Sequence, residues 1–136
     1  MKKTLDKDTA RDQARAQLDC IVELVKALDG GEEVDGEELT REEVEERIHE
    51  HPLSVEVRAD WHAAGAEDKL TEYNILLCTG GPAVRIIGDL SQHGEPETAR
   101  IEYQDWFTPW KRYGDTSHAE EEAMLIYARQ FYYLTS

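Results

Sequence analysis

The chain has 136 residues and carries 30 Asp plus Glu against 15 Lys plus Arg, a formal charge of −15 at pH 7. That length suits one domain, residues 1–136, with a core of its own. The charge argues against direct contact with nucleic acid or an anionic membrane, whose phosphates need a basic surface, and favours a basic partner.

From Asp8 to Leu28 the apolar residues Ala10, Ala14, Leu18, Ile21, Val25 and Leu28 recur at three- and four-residue steps, which predicts a long helix ended by Gly30 and Gly31. Thr40 and Glu43 have the spacing of a capping box, with Leu39 and Val44 placed as a hydrophobic staple. A second helix therefore starts there. It has only a narrow apolar stripe, Val44 and Ile48, which reads as a surface helix, and His51-Pro52 stops it.

The period then changes to two. Leu53, Val55, Val57, Ala59 and Trp61 alternate with polar residues as a half-buried strand requires. Leu70–Thr79, with Tyr73, Ile75 and Leu77 on one face, and Ala83–Leu90, with Val84 and Ile86, flank Gly80-Gly81-Pro82 and read as a hairpin. Ala99, Ile101 and Tyr103 define a fourth strand, so 53–106 is an antiparallel sheet. Ser117 and Glu120 form another capping box, opening a C-terminal helix over 117–134 with Ala123, Met124, Tyr127, Phe131 and Leu134 on one face. The predicted fold is α+β, a four-stranded antiparallel meander packed against N- and C-terminal helices, order ααββββα.

Chemistry-bearing patterns are sparse. Cys20 and Cys78 lack CxxC or metal-knuckle spacing and read as reduced, buried thiols. His49 and His51, two apart on a helix, diverge too far to share a metal and read as solvated groups. A calcium loop fails at its first ligand: with Gly36 at the sixth position, Glu33 and Asp35 fit the third and fifth, but Gly31 falls at the first. No nucleophile elbow, phosphate loop or zinc motif occurs. No catalytic residue, metal ligand or cofactor is therefore assigned. No apolar run approaches bilayer length, and the opening Met-Lys-Lys-Thr-Leu-Asp leads into charge rather than an apolar signal core, so a cytoplasmic protein is expected.

The strongest compositional signal is the acidic loop and helix over 29–50, with eleven carboxylates against Arg41 and Arg47. Such a run can simply be a solvated face. It can also compete with nucleic acid for a Lys/Arg groove, steering association through long-range attraction. Glu37, Glu38, Glu42, Glu45 and Glu46 are the candidate partner-binding carboxylates. Trp106 and Trp110, in the connection before the last helix, either close the core or anchor a partner, since Trp dominates interface hot spots.

The stretches 75–88, Ile-Leu-Leu-Cys-Thr-Gly-Gly-Pro-Ala-Val-Arg-Ile-Ile-Gly, and 102–110, Glu-Tyr-Gln-Asp-Trp-Phe-Thr-Pro-Trp, look like segments of small proteins of phages and mobile elements. The likeness spans roughly 53–134 and leaves the acidic front uncovered. Small acidic products of this kind resemble anti-CRISPR and other anti-defence inhibitors, which implies binding to a CRISPR–Cas complex or another basic nucleic-acid-binding protein in a bacterial host. The expected function is thus non-catalytic inhibition by a monomer or homodimer. Two other classes compete with it. One is a small enzyme or ligand-binding domain on the sheet face or at the Gly80 turn, with Glu72, Asp105 or His93 as acid or base; the other is a self-associating adaptor.

Overall fold

The apolar spacing of the N-terminal segment is realised as helix α1, Lys2–Lys26, which closes in a wider π turn at 27–28. The computed structural model describes residues 2–28, 33–34, 37–66, 70–106 and 108–131, with the side chains of 2–8, 33–34 and 37 outside that description. Ala10, Ala14, Leu18, Ile21, Val25 and Leu28 are all buried, and Leu24 joins them. After α1 comes a short antiparallel ribbon, β1 (Glu33–Val34) and β2 (Glu37–Glu38), inside the segment read as an acidic loop. Two residues per strand carry no period for a sequence reading to detect.

Helix α2, Arg41–Glu50, begins as its sequence dictates. Thr40 Oγ1 accepts from the Glu43 amide at 3.2 Å, and Glu43 Oε1 accepts from the Thr40 amide at 2.9 Å. Leu39, Val44 and Ile48 are buried, and Arg41 Nη1 donates to the Leu28 carbonyl at 2.6 Å. That carbonyl is one of those a helix end leaves without an intrahelical partner.

Five strands follow, β3 (Ser54–Ala59), β4 (Leu70–Cys78), β5 (Ala83–Asp89), β6 (Arg100–Gln104) and β7 (Lys111–Arg112), paired antiparallel in chain order. The four-stranded expectation is corrected by β7, whose two exposed, charged residues pair Arg112 with Glu102 and Lys111 with Tyr103. It lacks the alternation that announces a strand. Helix α3, His118–Ala128, starts on the expected box: Ser117 Oγ accepts from the Glu120 amide at 3.1 Å, and Glu120 Oε1 from the Ser117 amide at 2.9 Å. It ends earlier than the predicted 134: residues 129–130 form a turn, and 132–136 lie outside the described residues.

One face of the sheet makes the core. Tyr73, Ile75 and Leu77 of β4, Val84 and Ile86 of β5 and Ile101 of β6 are buried together with Met124, Tyr127 and Ala128 of α3. Helix α1 lies over β5 and β6 and packs along α3. A polar clasp joins the helices: the Arg15 guanidinium donates to Asp19 and to Glu120 and, with Arg11, stands over the ring of buried Tyr113. Arg15, seconded by the Ser117 amide, holds the Glu120 carboxyl below the usual carboxylate range.

Strand β3 lies away from this helical layer. Val55, Val57 and Ala59 are only half-buried, Leu53 is 60% exposed and Trp61 stands fully in solvent. The strand predicted over 53–61 is therefore shorter, because its register with β4 slips between Arg58 and Ala59 and regular pairing ends there. Cys20 and Cys78 are not joined in a disulfide and are half-buried rather than buried as expected, and burial pushes the Cys78 thiol up. Among the described residues, no helix is long and apolar enough to cross a membrane.

Candidate partner-binding surfaces

Helix α2 sorts its side chains by angle. Val44 and Ile48 face the core at 0% exposure, so residues about half a turn away face solvent: Glu42, Glu46 and Glu50 are exposed and Glu45 lies at the border. Glu38 at the end of β2 is exposed as well; the side chain of Glu37 lies outside the described residues. Positive charge on α2 is partly engaged. Arg41 reaches the Leu28 carbonyl and stands 3.5 Å from Glu45, while Arg47 is half-buried. The outward surface is predominantly acidic, with Arg41 still 66% exposed at its side chain.

The two candidate tryptophans do not form one exposed patch. Trp106 is 63% exposed and its indole covers the β4–β5 turn, where a Cβ on Gly81 would stand 2.8 Å from it. Gly81 has φ 127, a torsion that side-chain-bearing residues rarely adopt, so both the turn and the stacked indole need glycine there. Trp110 is half-buried and lies over the Arg85 guanidinium, 4.1 Å from the ring centroid. Arg85 sits between buried Val84 and Ile86 and so points to the opposite, helix-free face of the sheet. Trp110 is thus on the far side of the sheet from α2, whose apolar residues belong to the core.

That outer face is a quilt of paired charges. Arg58 is ion-paired with Glu72, and Glu102 takes Arg85 at 2.7 Å and Arg100 at 3.2 Å. An open depression of about 310 Å³ lies here, lined by Glu56, Arg58, Glu72, Asn74, Arg85 and Ile87. Of the three residues considered for acid–base work, Glu72 is held by Arg58, Asp105 organises the turn to Thr108 and His93 is exposed in the 91–94 turn. Their hydrogen bonds do not bring them together, and among the described residues no group of three His, Cys, Asp or Glu is placed to hold a metal ion. Positions 31, 32, 35 and 36 of the calcium-loop segment, and the side chains of 33, 34 and 37, lie outside those residues.

His49 and His51 both pack against the C-terminal end of α3 and its following turn, so His51 is not a solvated group. Its Nδ1 is hydrogen-bonded to the buried Tyr127 hydroxyl at 2.6 Å, while His49 Nε2 meets the Gln130 carbonyl at 2.8 Å. Burial pushes the His51 pKa below its ordinary value. The folded state holds the ring neutral, so the unfolded state binds the extra proton once pH falls below about 6.5. The contribution is full above that value and declines as pH falls toward the depressed one. The wild type should lose more thermal stability between neutral and mildly acidic pH than His51→Gln, measured by thermal unfolding at each pH. Equal losses in the two proteins would rule the pair out as the titrating element.

No family model, no curated protein and no solved structure matches the chain. The expected likeness of 53–134 to proteins of mobile elements finds no support in these comparisons, and no family is assigned.

Proposed function

We propose that this protein is a non-catalytic inhibitor that binds a basic nucleic-acid-binding protein, of the kind found in CRISPR–Cas complexes of a bacterial host, and competes with nucleic acid for its groove. The observation that supports this reading is the outward arc of α2, where Glu42, Glu45, Glu46 and Glu50 meet solvent while Val44 and Ile48 fix the helix to the core. A rigidly mounted anionic face attracts a basic groove over a Debye length and loses little entropy on docking. Glu38, exposed at the end of β2, and Glu37 precede that face in the chain.

The test replaces Glu37, Glu38, Glu42, Glu45 and Glu46 with Gln together and leaves Glu43, which closes the helix cap. Binding to a purified CRISPR effector complex is followed by competition with its target DNA over a range of salt. The variant should fold as the wild type does, bind about 30-fold or more weakly, and respond less to salt, since each lost carboxylate removes a few tenths of a kcal/mol or more. Wild-type protein that leaves DNA binding intact, or a variant that competes with undiminished strength and unchanged salt dependence, would remove this mechanism.

A further inference from the structure

Strand β3 forms one edge of the five-stranded sheet, with β4 as its single neighbour. The other edge, β7, is only two residues long. The far side of β3 therefore offers a run of backbone N–H and C=O groups that no strand among the described residues takes up. Its inner side is also unfinished. Val55 and Val57 touch the core yet remain half-buried, and the two most exposed apolar residues of its neighbourhood, Leu53 at 60% and Trp61 at 103%, lie just beyond either end.

The order of residues along this edge is complementary to itself. We propose that β3 pairs with β3 of a second copy of this chain, antiparallel and centred on Val57, so that two sheets become one. That register sets Glu56 opposite the partner's Arg58 and Arg58 opposite the partner's Glu56 on the outer face. On the inner face Val57 meets the partner's Val57, Val55 the partner's Ala59, and Leu53 the partner's Trp61. Both faces match because residues opposite each other keep the same parity. Centring on Glu56 or Arg58 instead would put like charges face to face, which destabilises a strand pair. Centring on Val55 would leave Arg58 facing a proline. The two-fold axis makes each contact occur twice, as in any isologous dimer.

The charges also have the right availability. Among the described residues, Glu56 is exposed and takes part in no ion pair, and Arg58, 74% exposed at its side chain, is ion-paired with Glu72 through a fork that can grip a second carboxylate. The inference is independent of the acidic face of α2, and its test does not require a nuclease. It assigns the exposed Trp61, which the monomer leaves without a role, to an intermolecular contact.

Sedimentation velocity of the full chain across a wide concentration range at near-physiological salt reads the association. The wild type should pass from monomer to dimer. Glu56→Lys and Arg58→Glu, each alone, should weaken self-association about tenfold or more, because each sets two like-charged pairs across the axis. An equimolar mixture of the two single variants should recover the dimer, since Lys then faces Glu at one contact and Arg faces Glu at the other. Trp61→Ser, at a site wholly in solvent, should weaken the dimer without altering the fold measured by circular dichroism. A wild type that stays monomeric at every concentration would overturn the proposal and make Glu56 and Arg58 guards against edge pairing. A dimer indifferent to both charge reversals would place the contact elsewhere and equally overturn it.

Discussion

Gly88→Ala is expected to destabilise the fold by about 3 kcal/mol or more, a large part of the total stability of a domain this size. Gly88 is buried in β5 and pairs with Tyr73 of β4, whose hydroxyl donates to the Thr98 carbonyl at 2.5 Å. A Cβ at this position would stand 2.0 Å from the Thr98 oxygen and 2.8 Å from the Tyr73 hydroxyl. The first obstacle is backbone and cannot swing aside. The strand has to shift, and the shift breaks the hydrogen bond of a buried phenol whose pKa is already raised by its apolar surroundings. Gly114→Ala is the matching control, because nothing lies within 4 Å of its Cβ position and its φ is not in the left-handed range. It should change stability by less than about 0.5 kcal/mol. Thermal and denaturant unfolding compare the two. A Gly88→Ala midpoint within a few degrees of wild type would mean that the Thr98 segment yields easily.

Glu102→Ala is expected to cost about 2 kcal/mol, more than an ion pair on open surface provides. The Glu102 side chain is 13% exposed and accepts from Arg85 at 2.9 and 2.7 Å and from Arg100 at 3.2 Å. Without it, two guanidiniums face each other, and Arg85, 19% exposed and pinned under Trp110, cannot turn to water. The larger share of the loss comes from stranding these charges rather than from forfeiting the attraction. Arg85→Met in the same chain should therefore restore part of the stability, a gain visible in equilibrium unfolding. A loss below about 0.5 kcal/mol would mean that solvent already carries these charges.

Helix and strand positions were legible where a period or a cap spans several residues. The Thr40–Glu43 and Ser117–Glu120 boxes form as read, and the alternation in β4, β5 and β6 matches the buried face. What escaped the sequence depends on residues distant in the chain. The His51–Tyr127 bond joins positions 76 apart, and no local pattern marks it. Gly88 reads as an ordinary member of an alternating run until the Thr98 segment is seen lying against it. β7 and the β1–β2 ribbon are too short to have a period. Of the candidate site, the solvent-facing glutamates of α2 were legible from Val44 and Ile48, which fix the orientation of the helix. The separation of Trp110 from that face was not, because it depends on which side of the sheet Arg85 points.

The clasp between Arg15 and Glu120 closes over 105 residues, whereas every strand of the main sheet pairs with its neighbour in sequence. Hairpins of that kind can zip locally as they emerge from a ribosome; α1 precedes the sheet in the chain, and most of its packing partners, β5, β6 and α3, are made after it. For most of translation its stripe of Ala14, Leu18 and Ile21 is bare. Completing the core over α1 thus waits for the C-terminal part of the chain, and once the chain is whole its charge of −15 sets copies in mutual repulsion.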